Sequence, residues 1–229
     1  MKIRSHLLSV AIFSIAMAWV ESAVVLDLRV LVGRLQPYQP NPLLHFGGLS
    51  QTEIIREVAT LVMLLAVGWL AGGRPRTRLA YSAFAFGLWD IFYYLFLIPL
   101  TGWPKSLLNW DILFLLPVPW WGPVIAPIAI SFLMITGGML VILIDRRARP
   151  ACLNVWFLAA GLIGAGMMFY AFTADALAAS SRGMEAVRQI LPVTFRWNMF
   201  LPGLFLMAVP VLAMAGQAIG LFHKEKLKP

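Results

Sequence analysis

Six runs of about twenty mostly apolar residues, at 7–32, 52–71, 79–100, 122–144, 153–176 and 197–221, make up most of this chain. Each is long enough to cross a hydrocarbon layer of about 30 Å as a helix rising 1.5 Å per residue. Within hydrocarbon a backbone must satisfy its own polar groups, so segments of this length are expected to be helical. The reading is an all-α, polytopic integral membrane bundle of six transmembrane helices, a single transmembrane domain over 1–229. The composition agrees, because 61% hydrophobic and 12% charged residues lie far outside the soluble globular range. The connections are too short for a separate soluble domain, so any chemistry has to sit between helices or in the loops at one surface.

Positive charge orients the bundle. Lys2 and Arg4, then Arg74, Arg76 and Arg78, then Arg146, Arg147 and Arg149, then Lys224, Lys226 and Lys228 all fall on one side of a six-span topology, eleven of the 18 basic residues. Only Asp145 and Glu225 among the acids join them. The positive-inside rule then predicts both termini in the cytoplasm of a multi-pass cell-membrane protein, with a bacterial inner membrane the expected setting. The basic balance is thus read as membrane orientation, and nucleic acid is not expected as a partner. Lys2 and Arg4 ahead of an apolar run, with Ala16-Met17-Ala18 beyond, imitate a secretory signal. Hydrophobic sequence continues past Ala18, and cleavage there would break the charge alternation, so the segment is read as a retained first helix. The single Cys152 has no partner for an internal disulfide and is read as a reduced packing residue near the cytoplasmic edge.

The loops carry their own signals. Pro37, Pro40, Pro42 and Gly47-Gly48 predict an outer loop after the first span, and Ser50 with Glu53 has capping-box spacing for the start of the second. Between the third and fourth spans, 106–116 reads as a helix of about eleven residues, half the length needed to cross. It is expected to lie at the outer interface or re-enter, ended by Pro117 and Pro119, with Trp103, Trp110, Asp111, Trp120 and Trp121 as outer-interface residues. Trp89-Asp90-Ile91 recurs as Trp110-Asp111-Ile112, a three-residue echo of low specificity. Ala83, Gly87, Asp90 and Tyr94 share a helix face, Ala160 and Gly164 do so in the fifth span, and Gly216 and Gly220 form a GxxxG in the sixth. Such small residues suit close helix packing, within this chain or in a homo-oligomer or larger membrane complex. Pro210 is expected to kink the last span.

Asp90, near the middle of the third span, is the residue that most needs explaining, because a carboxyl group at that depth costs several kcal/mol without a partner or a cavity. Glu21 on the first helix and Glu57 on the second fall, like Asp90, between the midplane and the outer surface. Arg56 or Arg29 can neutralise part of this group, and Tyr93 or Tyr94 can donate to a carboxylate. Asp27 and Arg29 are themselves read as interfacial charges. The candidate polar or substrate site is therefore Glu21, Arg56, Glu57, Asp90, Tyr93 and Tyr94. A hydrogen-bonded polar core that only fixes helix register is the competing reading.

Several enzyme classes are excluded by residue type. His6, His45 and His223 lie near helix ends or in a loop, which leaves no opposed pair for haem and no cluster for di-iron. There is no Cys pair, no Ser/His dyad within the spans, no P-loop and no GxGxxG. No cofactor is evident, and no catalytic residue is assigned. Three function classes remain: a small permease or ion- or proton-coupled transporter, favoured by the carboxylates; an accessory or scaffold subunit of a larger complex; and, least supported, a lipid-modifying enzyme.

Overall fold

A computed structural model describes residues 2–33, 36–40, 47–146 and 154–226. Its elements are α1 (Lys2–Leu31), α2 (Gly47–Ala71), α3 (Pro75–Thr101), β1 (Trp110–Ile112), β2 (Trp121–Pro123), α4 (Ile125–Arg146), α5 (Val155–Ser180), α6 (Met184–Arg188) and α7 (Trp197–Lys226). Six of these helices, all but α6, are long and apolar enough to cross a membrane, as the periodless apolar runs predict. Arg147, Arg149, Cys152 and His45 lie outside the described residues, as does the side chain of Ser50.

Helix α3 is the hub. It packs against α1, α2 and α4, while α4 leads on to α7 and α7 to α5; among the described residues α1 and α2 touch neither α5 nor α7. The contacts are close because glycine allows them. A Cβ on Gly87 would stand 2.6 Å from the Ser131 carbonyl oxygen of α4, and one on Gly138 would stand 2.5 Å from that of Ala80, so α3 and α4 meet backbone to backbone. The predicted Gly87 face is thus the α4 contact, and Gly164 serves the α5–α7 contact. Gly216 and Gly220 have nothing within 4 Å of an added Cβ, so the GxxxG packs against no described part of this chain.

Local chemistry sets the ends of α3. Pro75 occupies the first turn, where its missing N–H is not needed, and the backbone N–H of Arg74 donates to Thr77 Oγ1 at 3.0 Å. Gly102 closes the helix in the left-handed region at φ 67°, its N–H returning to the Ile98 carbonyl at 2.9 Å. At the arginine-rich end of the bundle, Arg74 Nη1 contacts Asp145 Oδ1 at 3.0 Å, joined there by Arg76. An apolar cluster that includes Val10, Ala18, Leu64, Phe84, Ala85 and Ile142 fills the adjoining half of the α1–α3 group.

One expected element is replaced. The 106–116 stretch forms no helix; Trp110–Ile112 instead pairs antiparallel with Trp121–Pro123, with Trp110 opposite Pro123, Asp111 opposite Gly122 and Ile112 opposite Trp121. Two causes are visible. Asn109 Oδ1 accepts from the backbone N–H groups of Lys105 and Ser106 at 2.7 and 2.8 Å, a turn that competes with helix for the same donors. Beyond it, Pro117 and Pro119 disfavour helix in the residues that precede them. The chain then folds back, with Leu113 N–H donating to the Trp120 carbonyl at 2.9 Å and Trp120 N–H to the Phe114 carbonyl at 2.8 Å. Trp103 and Trp121 are also not interfacial rings. They are 4% and 2% exposed, packed inside this end, whereas Trp110 and Trp120 are half-buried.

Candidate functional site

At the end of the bundle opposite Asp145, a cavity of about 520 Å³ lies among α1, α2, α3, the hairpin segment and α6. Its wall is mostly apolar, contributed by side chains such as Val25, Leu28, Ile54, Leu113 and Phe114. All six candidate residues, Glu21, Arg56, Glu57, Asp90, Tyr93 and Tyr94, line it. They come from three helices, and α3 contributes Asp90, Tyr93 and Tyr94 because residues three and four apart share one helix face.

The acidic groups are not equivalent. Glu21 pairs with Arg56 Nη1 and also accepts from Thr60 Oγ1 at 3.2 Å. Arg56 Nη2 reaches Glu53 Oε2 at 2.8 Å, so one guanidinium serves two carboxylates. This corrects the capping role expected of Glu53: α2 begins three residues before Ser50, and the Glu53 carboxylate turns to Arg56 instead. Glu57 takes a different partner. Both its oxygens accept from the Leu115 N–H, at 3.2 and 3.0 Å, so it fastens the 113–119 segment across the cavity.

Asp111 belongs to the site and not to the outer interface. It is 2% exposed, accepts from the Tyr94 hydroxyl at 3.1 Å, and stands 3.8 Å from Arg29 Nη2. Arg29, expected at the boundary, is 9% exposed, and its guanidinium lies 4.6 Å from the Trp103 ring centroid. Burial pushes the Asp111 carboxyl up to about 6, against the pull of Arg29 and of the Tyr94 hydrogen bond. The tyrosine donation anticipated for a carboxylate is thus made by Tyr94 to Asp111.

Asp90 is held differently again. Ser131 Oγ on α4 donates to its Oδ2 at 2.8 Å, and the carboxylate is 7% exposed. Its Oδ1 accepts no hydrogen bond among the described residues, and Asp90 has no ion pair there. The Tyr93 hydroxyl is likewise unbonded among them, while the Tyr93 backbone carbonyl accepts from Ser22 Oγ at 3.1 Å. Trp89 also lines the cavity, with its ring stacked on Tyr93 at a centroid distance of 6.2 Å; its indole N–H is buried and has no partner among the described residues.

Sequence reasoning missed Ser131 and Arg188 altogether, placed Asp111 at the outer interface, and read Arg29 both as an interfacial charge and as a residue able to neutralise part of the acidic group. The Trp-Asp-Ile echo was the available signal for Asp111, since both its aspartates line this cavity. Nothing in the sequence marks Ser131, a hydroxyl in an apolar helix that becomes a partner only where α4 crosses α3. The carboxylates, guanidiniums and phenols can bind charge and move protons. Among the described residues no three of His, Cys, Asp or Glu converge as metal ligands would. No family model matches the chain, and no curated protein or solved structure does so either.

Proposed function

We propose that this membrane protein is a small permease coupled to a proton or another cation, with the cavity open to the outside and the arginine-rich end in the cytoplasm. The observation that carries this reading is the reach of the cavity to Asp90, a mid-helix carboxylate with an unengaged oxygen. A buried acid that serves register alone is best served by complete pairing, whereas a coupling site needs an oxygen open to a proton or a cation. The part of the apolar cluster beyond the cavity, around Val10, Leu64, Phe84 and Ile142, acts as the closed half of an alternating-access cycle.

Thiol accessibility tests this. In a Cys152→Ser background, Gln39→Cys reports which face is outside, because an impermeant reagent added to cells labels it only from there. Tyr93→Cys then reports the site. A permease exposes it in turn to both sides, so the impermeant reagent should label it in right-side-out and in inverted vesicles. Labelling confined to one side, with or without an imposed proton gradient, would overturn the permease reading. One observation favours an accessory subunit as the second reading: Gly216 and Gly220 present a small-residue face that no described helix of this chain covers.

A further inference from the structure

The charges already engaged around the cavity narrow what can occupy it. Glu21 and Glu53 share Arg56, Glu57 takes the Leu115 N–H, and Asp111 takes the Tyr94 hydroxyl and faces Arg29. Asp90 is left without a cation, 7% exposed, with Oδ1 unbonded among the described residues. Across the whole wall these five carboxylates outnumber the three guanidiniums of Arg29, Arg56 and Arg188. A cationic occupant is therefore favoured over an anionic one.

The rest of the wall says what kind of cation. Trp89, Tyr93, Tyr94 and Phe114 line the cavity that Asp90 also lines, Trp89 and Tyr93 stacked and Tyr93 and Tyr94 edge to face at 5.1 Å. Aromatic faces attract a cation through the ring quadrupole, most strongly one that gives up little hydration. A hard metal ion would want six or more oxygen ligands, and no group of three acidic or imidazole ligands is present among the described residues. The volume of about 520 Å³ suits an organic molecule of drug-like size.

We infer that the cavity binds a lipophilic organic cation, with its charge at Asp90 and its apolar body against Trp89, Tyr93, Phe114 and Ile54. This names the solute class of the permease proposed above and rests on that reading for its physiological meaning. The full-length protein in phosphatidylcholine nanodiscs would be titrated with radiolabelled tetraphenylphosphonium and, as the charge-reversed control of the same shape, tetraphenylborate. Tetraphenylphosphonium should bind saturably and tetraphenylborate at least about tenfold more weakly. Asp90→Asn should weaken tetraphenylphosphonium binding about 30-fold, the usual scale for removing one member of a desolvated charge pair, while Asp90→Glu keeps most of it.

Should Asp90→Asn fail to give a monodisperse protein, Ile54→Cys in the Cys152→Ser background provides the second measurement. Tetraphenylphosphonium should slow its maleimide labelling at least about fivefold and tetraphenylborate should not. Equal binding of both ions, unchanged affinity in folded Asp90→Asn, or no protection of Ile54→Cys would overturn the inference. The two proposals fail separately. Two-sided labelling of Tyr93→Cys without tetraphenylphosphonium binding removes the solute class and leaves the permease; binding with one-sided labelling does the reverse.

Discussion

Helices α5 and α7 meet over bare backbone: a Cβ on Gly164 would stand 2.4 Å from the Gly203 carbonyl oxygen, and one on Gly203 2.8 Å from that of Gly164. Around them Phe172, Phe195, Phe200 and Trp197 interlock, with Phe195 and Trp197 edge to face at 4.8 Å. The α1–α3 group also uses a close glycine contact, Gly68 against Ser82, but its cavity end is joined by long charged side chains. Small residues let helix backbones close on each other and leave no void, whereas an Arg–Glu pair needs room for two side chains and their hydrogen bonds. The cavity accordingly lies on the charged side of the molecule. Hydrocarbon-like packing and a hollow polar site thus fall mainly to different helices, although α6 and Ser180 at the end of α5 also reach the cavity.

The largest expected effect breaks the charged side. Arg56→Gln would leave Glu21 and Glu53 without their shared cation, at a cost of about 2–4 kcal/mol, between the values for exposed and for fully buried pairs because these side chains are half-buried. Thermal unfolding of the purified protein in detergent should show a fall in midpoint of many degrees. Adding Glu21→Gln to that variant should recover part of it. No recovery would mean that Arg56 acts through packing, and the contrast between the two regions would lose its electrostatic basis.

A smaller effect is expected on the apolar side. Gly203→Ala places a methyl group within 3.0 Å of Met167 and Met168 side chains and 2.8 Å from the Gly164 carbonyl oxygen. Overpacking of this kind costs about 1–3 kcal/mol. The same unfolding assay should show the loss, while tetraphenylphosphonium affinity stays at the wild-type value because neither Gly203 nor the residues it would crowd line the cavity. A large change in that affinity would show that the two regions are coupled across α4.

The smallest effect is a slope. Burial raises Asp111 from its ordinary value of 3.8 to about 6, so its neutral form is the one the fold favours. Its contribution to stability is complete below about 3.8 and is lost as pH rises through about 6. Asp111→Asn should flatten the decline in unfolding midpoint across that window. Parallel wild-type and Asp111→Asn profiles would show that the Arg29 contact holds Asp111 charged throughout.

The apolar runs determined, by themselves, that this chain makes six helices long and apolar enough to span, because hydrocarbon length and backbone satisfaction act on each segment alone. The gathering of Glu21, Glu57 and Asp90 was legible for a related reason: depth along a helix follows from counting residues, and three acids at similar depth on neighbouring spans are expected to meet. Tertiary structure decided what each acid touches. Ser131 became the partner of Asp90 only because Gly87 lets α4 approach α3, and Asp111 became a buried site residue only because 106–123 folds back as a hairpin. That hairpin was hidden because the Asn109 turn and the prolines only oppose a helix, while the fold-back itself is held by contacts distant in sequence, Glu57 to Leu115 and Arg29 to Asp111, which no local periodicity encodes. Helix length is set by the solvent each segment meets, but the partner of a buried charge is set by which backbones can come close enough to supply one.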